Sequence, residues 1–157
     1  MSEPRARLLV VGYGSTLRSD DAVGPVVSAR IESMHLPGVE TITCELLTPE
    51  LADPLSRADA VVFVDASVDV PVKNGVLLRD LEPAESSQIL AHAADPRTLL
   101  ALARDVFGHA PRAWWLTIPA VHLGIGEEMS SVARKGVEEA VRKIQALARP
   151  QATAEDA

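Results

Sequence analysis

Two adjacent carboxylates, Asp20 and Asp21, close a glycine turn; a third, Asp65, ends an apolar run, and His92 lies in a loop just ahead of Asp95-Pro96. Two carboxylates and one imidazole suit a divalent transition metal, with positions left open for water or substrate. Asp21, Asp65 and His92 are therefore the candidate metal ligands. Each also has a plainer reading. Asp20 reads as a helix cap, and Asp21 as an acid favoured by the field at a helix N-terminus. Asp65 would satisfy backbone amides in a turn, and His92 would be a solvated loop side chain. His122, which follows a later strand, is a reserve candidate, while His35 and His109 sit beside helix ends where a partly charged imidazole is comfortable.

The elements that must position these groups alternate strand and helix. Leu8 to Gly12 is apolar throughout rather than alternating, the pattern of a strand buried on both faces. From about Asp20 to Met34 the spacing of Val23, Val27, Ile31 and Met34 predicts a helix, capped by Ser19 or Asp20, with Pro25 tolerated in its first turn. Val39 to Leu47 is a second strand, and Thr48-Pro49, a cap followed by proline at a first helical position, opens a short helix to about Arg57. Ala60 to Val64 is a third strand, placed beside the first in the middle of the sheet, and it delivers Asp65 at its carboxyl end. Gly75 to Leu81 reads as an edge strand of open direction. Asp95-Pro96 starts a helix whose buried stripe is Leu99, Leu100, Ala103, Val106 and Phe107, ended by Gly108. Ala113 to Ile118 is the fifth strand. Ser130 or Ser131 caps a last helix facing the sheet with Val132, Gly136, Val137, Ala140, Val141, Ile144 and Leu147.

These elements predict a three-layer α/β sandwich, a mostly parallel sheet of about five strands with helices on both faces. The expected organisation is one domain over residues 1–149 and a frayed polar tail over 150–157. In an open parallel sheet ligands bind beyond the carboxyl ends of the strands, which is where Asp21 and Asp65 would stand.

Several function classes are excluded. A net charge of -7 argues against nucleic acid or an anionic membrane as partner. Cys44 is the single cysteine, so neither an internal disulfide nor a thiolate zinc site is available, which suits a reducing, cytoplasmic setting. No apolar stretch reaches the length of a membrane span or a signal segment. Gly12-x-Gly14 resembles the start of a dinucleotide fingerprint, but the third glycine is missing and acids stand where phosphate would lie. There is no Walker lysine, no HExxH pair and no G-x-S-x-G elbow.

The chain resembles the hydrogenase maturation proteases, endopeptidases that trim the C-terminal extension from the large subunit of nickel-iron hydrogenases. The resemblance spans nearly the whole chain. It is carried by Gly12-Tyr13-Gly14-Ser15-Thr16-Leu17-Arg18-Ser19-Asp20-Asp21-Ala22-Val23-Gly24, by Val61-Val62-Phe63-Val64-Asp65-Ala66, and by His92 with Asp95-Pro96 and Leu99 to Ala103. Gly126-Glu127 and Ser130 add weaker support. The metal-binding positions of that family match Asp21, Asp65 and His92, which are also the expected catalytic residues. What the resemblance implies is nickel carried in by the precursor, with no organic cofactor, so that the protease tests for loading before it cuts. Whether one aspartate also serves as general base is left open at this level. Two positions depart from the family's pattern: Ser15 stands where asparagine is frequent, and Ala22 where glycine is common, which puts the loop's backbone freedom and the substrate choice in question. The expected partner is a hydrogenase large-subunit precursor and the expected state a monomer. A noncatalytic metal-sensing chaperone for the precursor, and a nucleotide-binding module, are the alternatives.

Overall fold

The two runs that are apolar on every residue become the central strands, because only a strand covered on both faces can bury every side chain. A computed structural model describes residues 6–86, 95–126 and 128–149. Its elements are strand β1 (Ala6–Tyr13), helix α1 (Val23–Ser33), β2 (Val39–Cys44), the one-turn α2 (Ala52–Ser56), β3 (Ala58–Ser67), β4 (Leu77–Leu81), α3 (Pro96–Phe107), β5 (Arg112–Pro119) and α4 (Ser131–Ala148). The strands form one sheet in the order β2-β1-β3-β5-β4. All neighbours are parallel except β4, which pairs antiparallel with β5 and so settles the direction of that edge strand.

Helices α1 and α4 cover one face, where Val23, Val27, Ile31, Val141 and Ile144 pack with Val10, Val62 and Leu116. On the other face α2 and α3 bring Leu55, Leu99 and Leu100 against Leu9, Val11 and Phe63. The chain leaves β1 for β2 on one side and reaches β3 on the other, so the strand order reverses between β1 and β3. In doubly wound sheets the ligand crevice opens at that point. No helix among the described residues is long and apolar enough to cross a membrane.

Several sequence expectations are corrected. The first helix does not begin at Asp20: Ser19–Ala22 form a separate 3-10 turn, and neither turn nor helix has a side-chain cap. β2 stops at Cys44, and Leu47 instead drops into the α2/α3 core. Thr48 makes no capping hydrogen bond. β3 is longer than its apolar run and continues through Ser67, so Asp65 lies within it, opposite Thr117. In α3 the last two stripe residues, Val106 and Phe107, are exposed. In α4 Ala133 is buried in place of Val132.

Candidate functional site

The glycines of the first motif are explained by contact between backbones. A Cβ on Gly12 would lie 2.1 Å from the Gly24 carbonyl oxygen, and one on Gly24 would lie 2.4 Å from that of Tyr13. Only two glycines let the end of β1 meet the start of α1 this closely, and the residues between them are forced into a closed excursion. Within it Gly14 has φ +143° and faces the Asp21 carbonyl. The Ser15 amide donates to Asp21 Oδ2 at 2.8 Å, and the Asp21 amide donates to the Arg18 carbonyl at 3.0 Å. Asp21 is thus held across the mouth of its own loop.

Both departures from the resembling family's pattern are harmless to this geometry. Ser15 holds Asp21 through its main chain, and its hydroxyl accepts from the Leu17 amide at 3.2 Å. Ala22 has φ -78° and ψ -4°, a right-handed conformation that alanine adopts freely.

Asp20 does not cap α1. Fully buried, it accepts from the Val121, His122 and Ser130 amides at 2.7, 3.0 and 2.7 Å and from the Ser130 hydroxyl at 2.8 Å. Burial by itself would raise its pKa, but these donors outweigh burial and hold it below the ordinary carboxylate range. Ser130 in turn caps α4 by accepting from the Ala133 amide. The loops after β1 and β5 are further joined by Arg18 Nε donating to the Leu123 carbonyl at 3.2 Å, and by the Ser19 hydroxyl donating to the Gly124 carbonyl. Ser19 takes a left-handed φ of 52° to do so. His122, the reserve candidate, serves this junction through its backbone while its side chain is exposed.

Asp65 stands on β3 beside β1, at the point where the strand order reverses. Burial pushes its pKa up to about 6; the Tyr13 hydrogen bond opposes this, the Asp21 charge adds to it, and the Ala66 amide again opposes it. The Asp21 and Asp65 carboxylates are therefore near enough to feel each other. Tyr13 donates its phenol hydrogen to Asp65 Oδ2 at 3.1 Å. Burial and the Asp65 carboxylate hold that phenol protonated, well above its usual range, with the nearby Trp115 indole acting the other way.

Tyr13 was missed from the sequence, because its partner is set by strand register. Leu9, Val11 and Tyr13 alternate onto one face of β1, Val61, Phe63 and Asp65 onto the same face of β3, and the register sets Gly12 opposite Val64. The phenol and the carboxyl are thereby neighbours.

Asp95 caps α3 by accepting from the Arg97 amide at 2.9 Å, and its charge also raises the pKa of Tyr13, so α3 starts beside this crevice. His92 lies outside the described residues. Among the described residues no group of three or more His, Cys, Asp or Glu side chains is placed to hold a metal. A groove of about 270 Å³ runs beside the Asp21 loop, lined by Ser15, Leu17, Thr43, Cys44 and Glu45. A cavity of about 320 Å³ between His35 and Thr41 lies at the other end of the strands, away from the carboxylates.

This is the fold of the hydrogenase maturation endopeptidases. The hydrogenase-maturating endopeptidase HybD from E. coli superposes with a TM-score of 0.72 at 20% identity, covering 90% of this chain and 91% of that one. The NiFe hydrogenase maturation protease HycI from Thermococcus kodakarensis gives 0.68 at 20% identity, over 93% and 94% of the two chains. A hydrogenase 2 maturation peptidase from a Thaumarchaeota archaeon gives 0.64 at 22% identity, over 90% and 97%. At such identities the likeness is one of fold, and it extends over nearly the whole of each chain. No protein-family model and no curated protein matches the sequence. The resemblance drawn from the motifs is thus met by the architecture that carries them.

Chemically, the crevice offers two hard oxygen donors, one of them with a proton affinity near neutrality. Paired carboxylates are the donor type that divalent cations take, and a cation there would offset both their repulsion and the burial cost.

Proposed function

We propose that this protein is an endopeptidase that removes the C-terminal extension of a nickel-loaded hydrogenase large-subunit precursor. The observation that carries the proposal is a fold shared over about 90% of the chain with hydrogenase maturation endopeptidases, with Asp65 standing at its reversal between β1 and β3. In this reading the nickel belongs to the substrate, and Asp21, Asp65 and His92 complete its coordination. His92 enters this reading from the sequence resemblance alone. Asp21, Asp65 and His92 would hold the substrate's metal so that the scissile bond lies beside the crevice, and a metal there would supply Lewis-acid polarisation of a carbonyl or a water. Recognition is then linkage: loaded precursor binds better than empty precursor by the free energy the three side chains contribute. The proposed setting is the cytoplasm, and no organic cofactor is required.

A nucleotide-binding role is disfavoured by the loop itself. The Gly12 backbone is packed against Gly24, and Asp21 takes the Ser15 amide that a phosphate would need. Incubation with nickel-loaded precursor, followed by mass spectrometry of the large subunit, tests the proposal. Loss of a C-terminal peptide is the expected result. A stable complex with unchanged subunit mass would assign the protein a chaperone role instead.

A further inference from the structure

Asp65 is the one proposed ligand whose carboxyl orientation is set by a distant part of the chain among the described residues. The torsion that decides which oxygen of an aspartate faces a ligand is soft, so backbone placement alone does not choose between Oδ1 and Oδ2. Of the two donors that act on this carboxyl, the adjacent Ala66 amide and the Tyr13 phenol, the phenol comes from another strand. Its ring is buried in the cluster formed by Leu9, Val11 and Phe63, so packing holds the hydroxyl in place. From there it donates to Asp65 Oδ2. The 3.1 Å separation is long for a phenol and a carboxylate, leaving room to tighten when Asp65 engages a ligand.

Trp115 packs against the same cluster, and its indole lies near enough to act on the phenol. A phenylalanine would fill the apolar position of Tyr13 equally well, so the hydroxyl has no packing purpose. Tyr13 is also the single tyrosine of the chain.

We propose that Tyr13 is a positioning residue, whose hydroxyl occupies Asp65 Oδ2 so that Oδ1 is the oxygen presented to the substrate in the crevice. This rests on the reading of Asp65 as part of a peptidase site. Hydrogen bonds that orient a metal-binding carboxylate are worth about 10–100-fold in affinity or activity. Tyr13→Phe is therefore expected to lower kcat/KM for precursor processing about 10-fold or more, since Asp65 serves both the binding of loaded precursor and its cleavage.

Two further measurements do not depend on activity. In crystals of Tyr13→Phe, the Asp65 carboxyl should rotate about its Cβ–Cγ bond or take two orientations, while the ring at position 13 stays in place. With 3-fluorotyrosine incorporated, the protein gives one 19F resonance, and Asp65→Asn should shift it. Full kcat/KM in Tyr13→Phe, when the wild type processes precursor, overturns the inference and leaves the peptidase reading standing. An Asp65 carboxyl that superposes unchanged on the wild type overturns it as well. So does a 19F resonance unmoved by Asp65→Asn, which decides the matter even if Tyr13→Phe does not fold. A wild type that leaves precursor uncut, alongside a rotated carboxyl in the variant, sinks the peptidase reading and keeps the positioning role.

Discussion

Burial and the Asp21 charge leave Asp65 with a pKa of about 6, against an ordinary aspartate near 4. The folded state therefore binds this proton more tightly than the unfolded chain. Stability from Asp65 is fully present below the unfolded value and is lost as pH rises through about 6. Asp65→Asn should thus raise the melting temperature at pH 7, by an amount worth at most about 3 kcal/mol, and the gain should vanish near pH 4. Paired thermal melts at the two pH values check this. In function the sign reverses. Asp21→Ala, Asp65→Ala and His92→Ala are each expected to lower processing about 100-fold or more while circular dichroism stays unchanged. A variant that still cleaves at the wild-type rate removes its residue from the site. The aspartates were legible as candidates because acids stand where an apolar strand or a glycine turn ends. Tyr13 was not, since its partner is 52 residues away and is set by strand register.

At the scale of elements, the loops after β1 and β5 behave as one unit joined at Asp20. Four donors converge on its two oxygens, an arrangement that an amide cannot reproduce because its nitrogen would face donors. Asp20→Asn should cost about 2–3 kcal/mol in urea denaturation. Because the folded pKa of Asp20 is lowered, its contribution is present above about pH 4 and is lost as pH falls through the folded value. The wild type should accordingly lose stability in acid below about pH 4, and Asp20→Asn should lose less there. The sequence reading of Asp20 as a cap of the following helix had the right chemistry and the wrong helix. It shares in capping α4 through Ser130, 110 residues on, a partner that local spacing cannot reveal. Elements whose ends are marked locally were read more closely. Asp95 and Gly108 bound α3 as expected, the one accepting a first-turn amide, the other left-handed at φ 83°.

For the molecule as a whole, the proposed recognition through the substrate's metal would make loaded precursor the tighter binder. Nickel-free precursor should bind at least about tenfold more weakly than loaded precursor, about 1.4 kcal/mol, as measured by titration calorimetry. Equal affinity for the two would show that docking uses the protein surfaces alone. The three-layer architecture was determined by the sequence itself. Buried parallel strands need continuous apolar runs, and helices covering them need an apolar stripe, so both patterns are written locally in Leu8 to Val11, Val61 to Val64 and the α4 stripe. The resemblance, too, rests on motifs that the sequence alone carries, and the fold answers to it. Only the tertiary structure decided how the acids divide their work. Asp20 is turned inward to bind two loops, Asp21 is held over the crevice by the Ser15 amide, and Asp65 is gripped by Tyr13. The physical reason is that a carboxylate's role depends on which donors surround it and how much water it keeps, and those donors come from strands and loops distant in the chain.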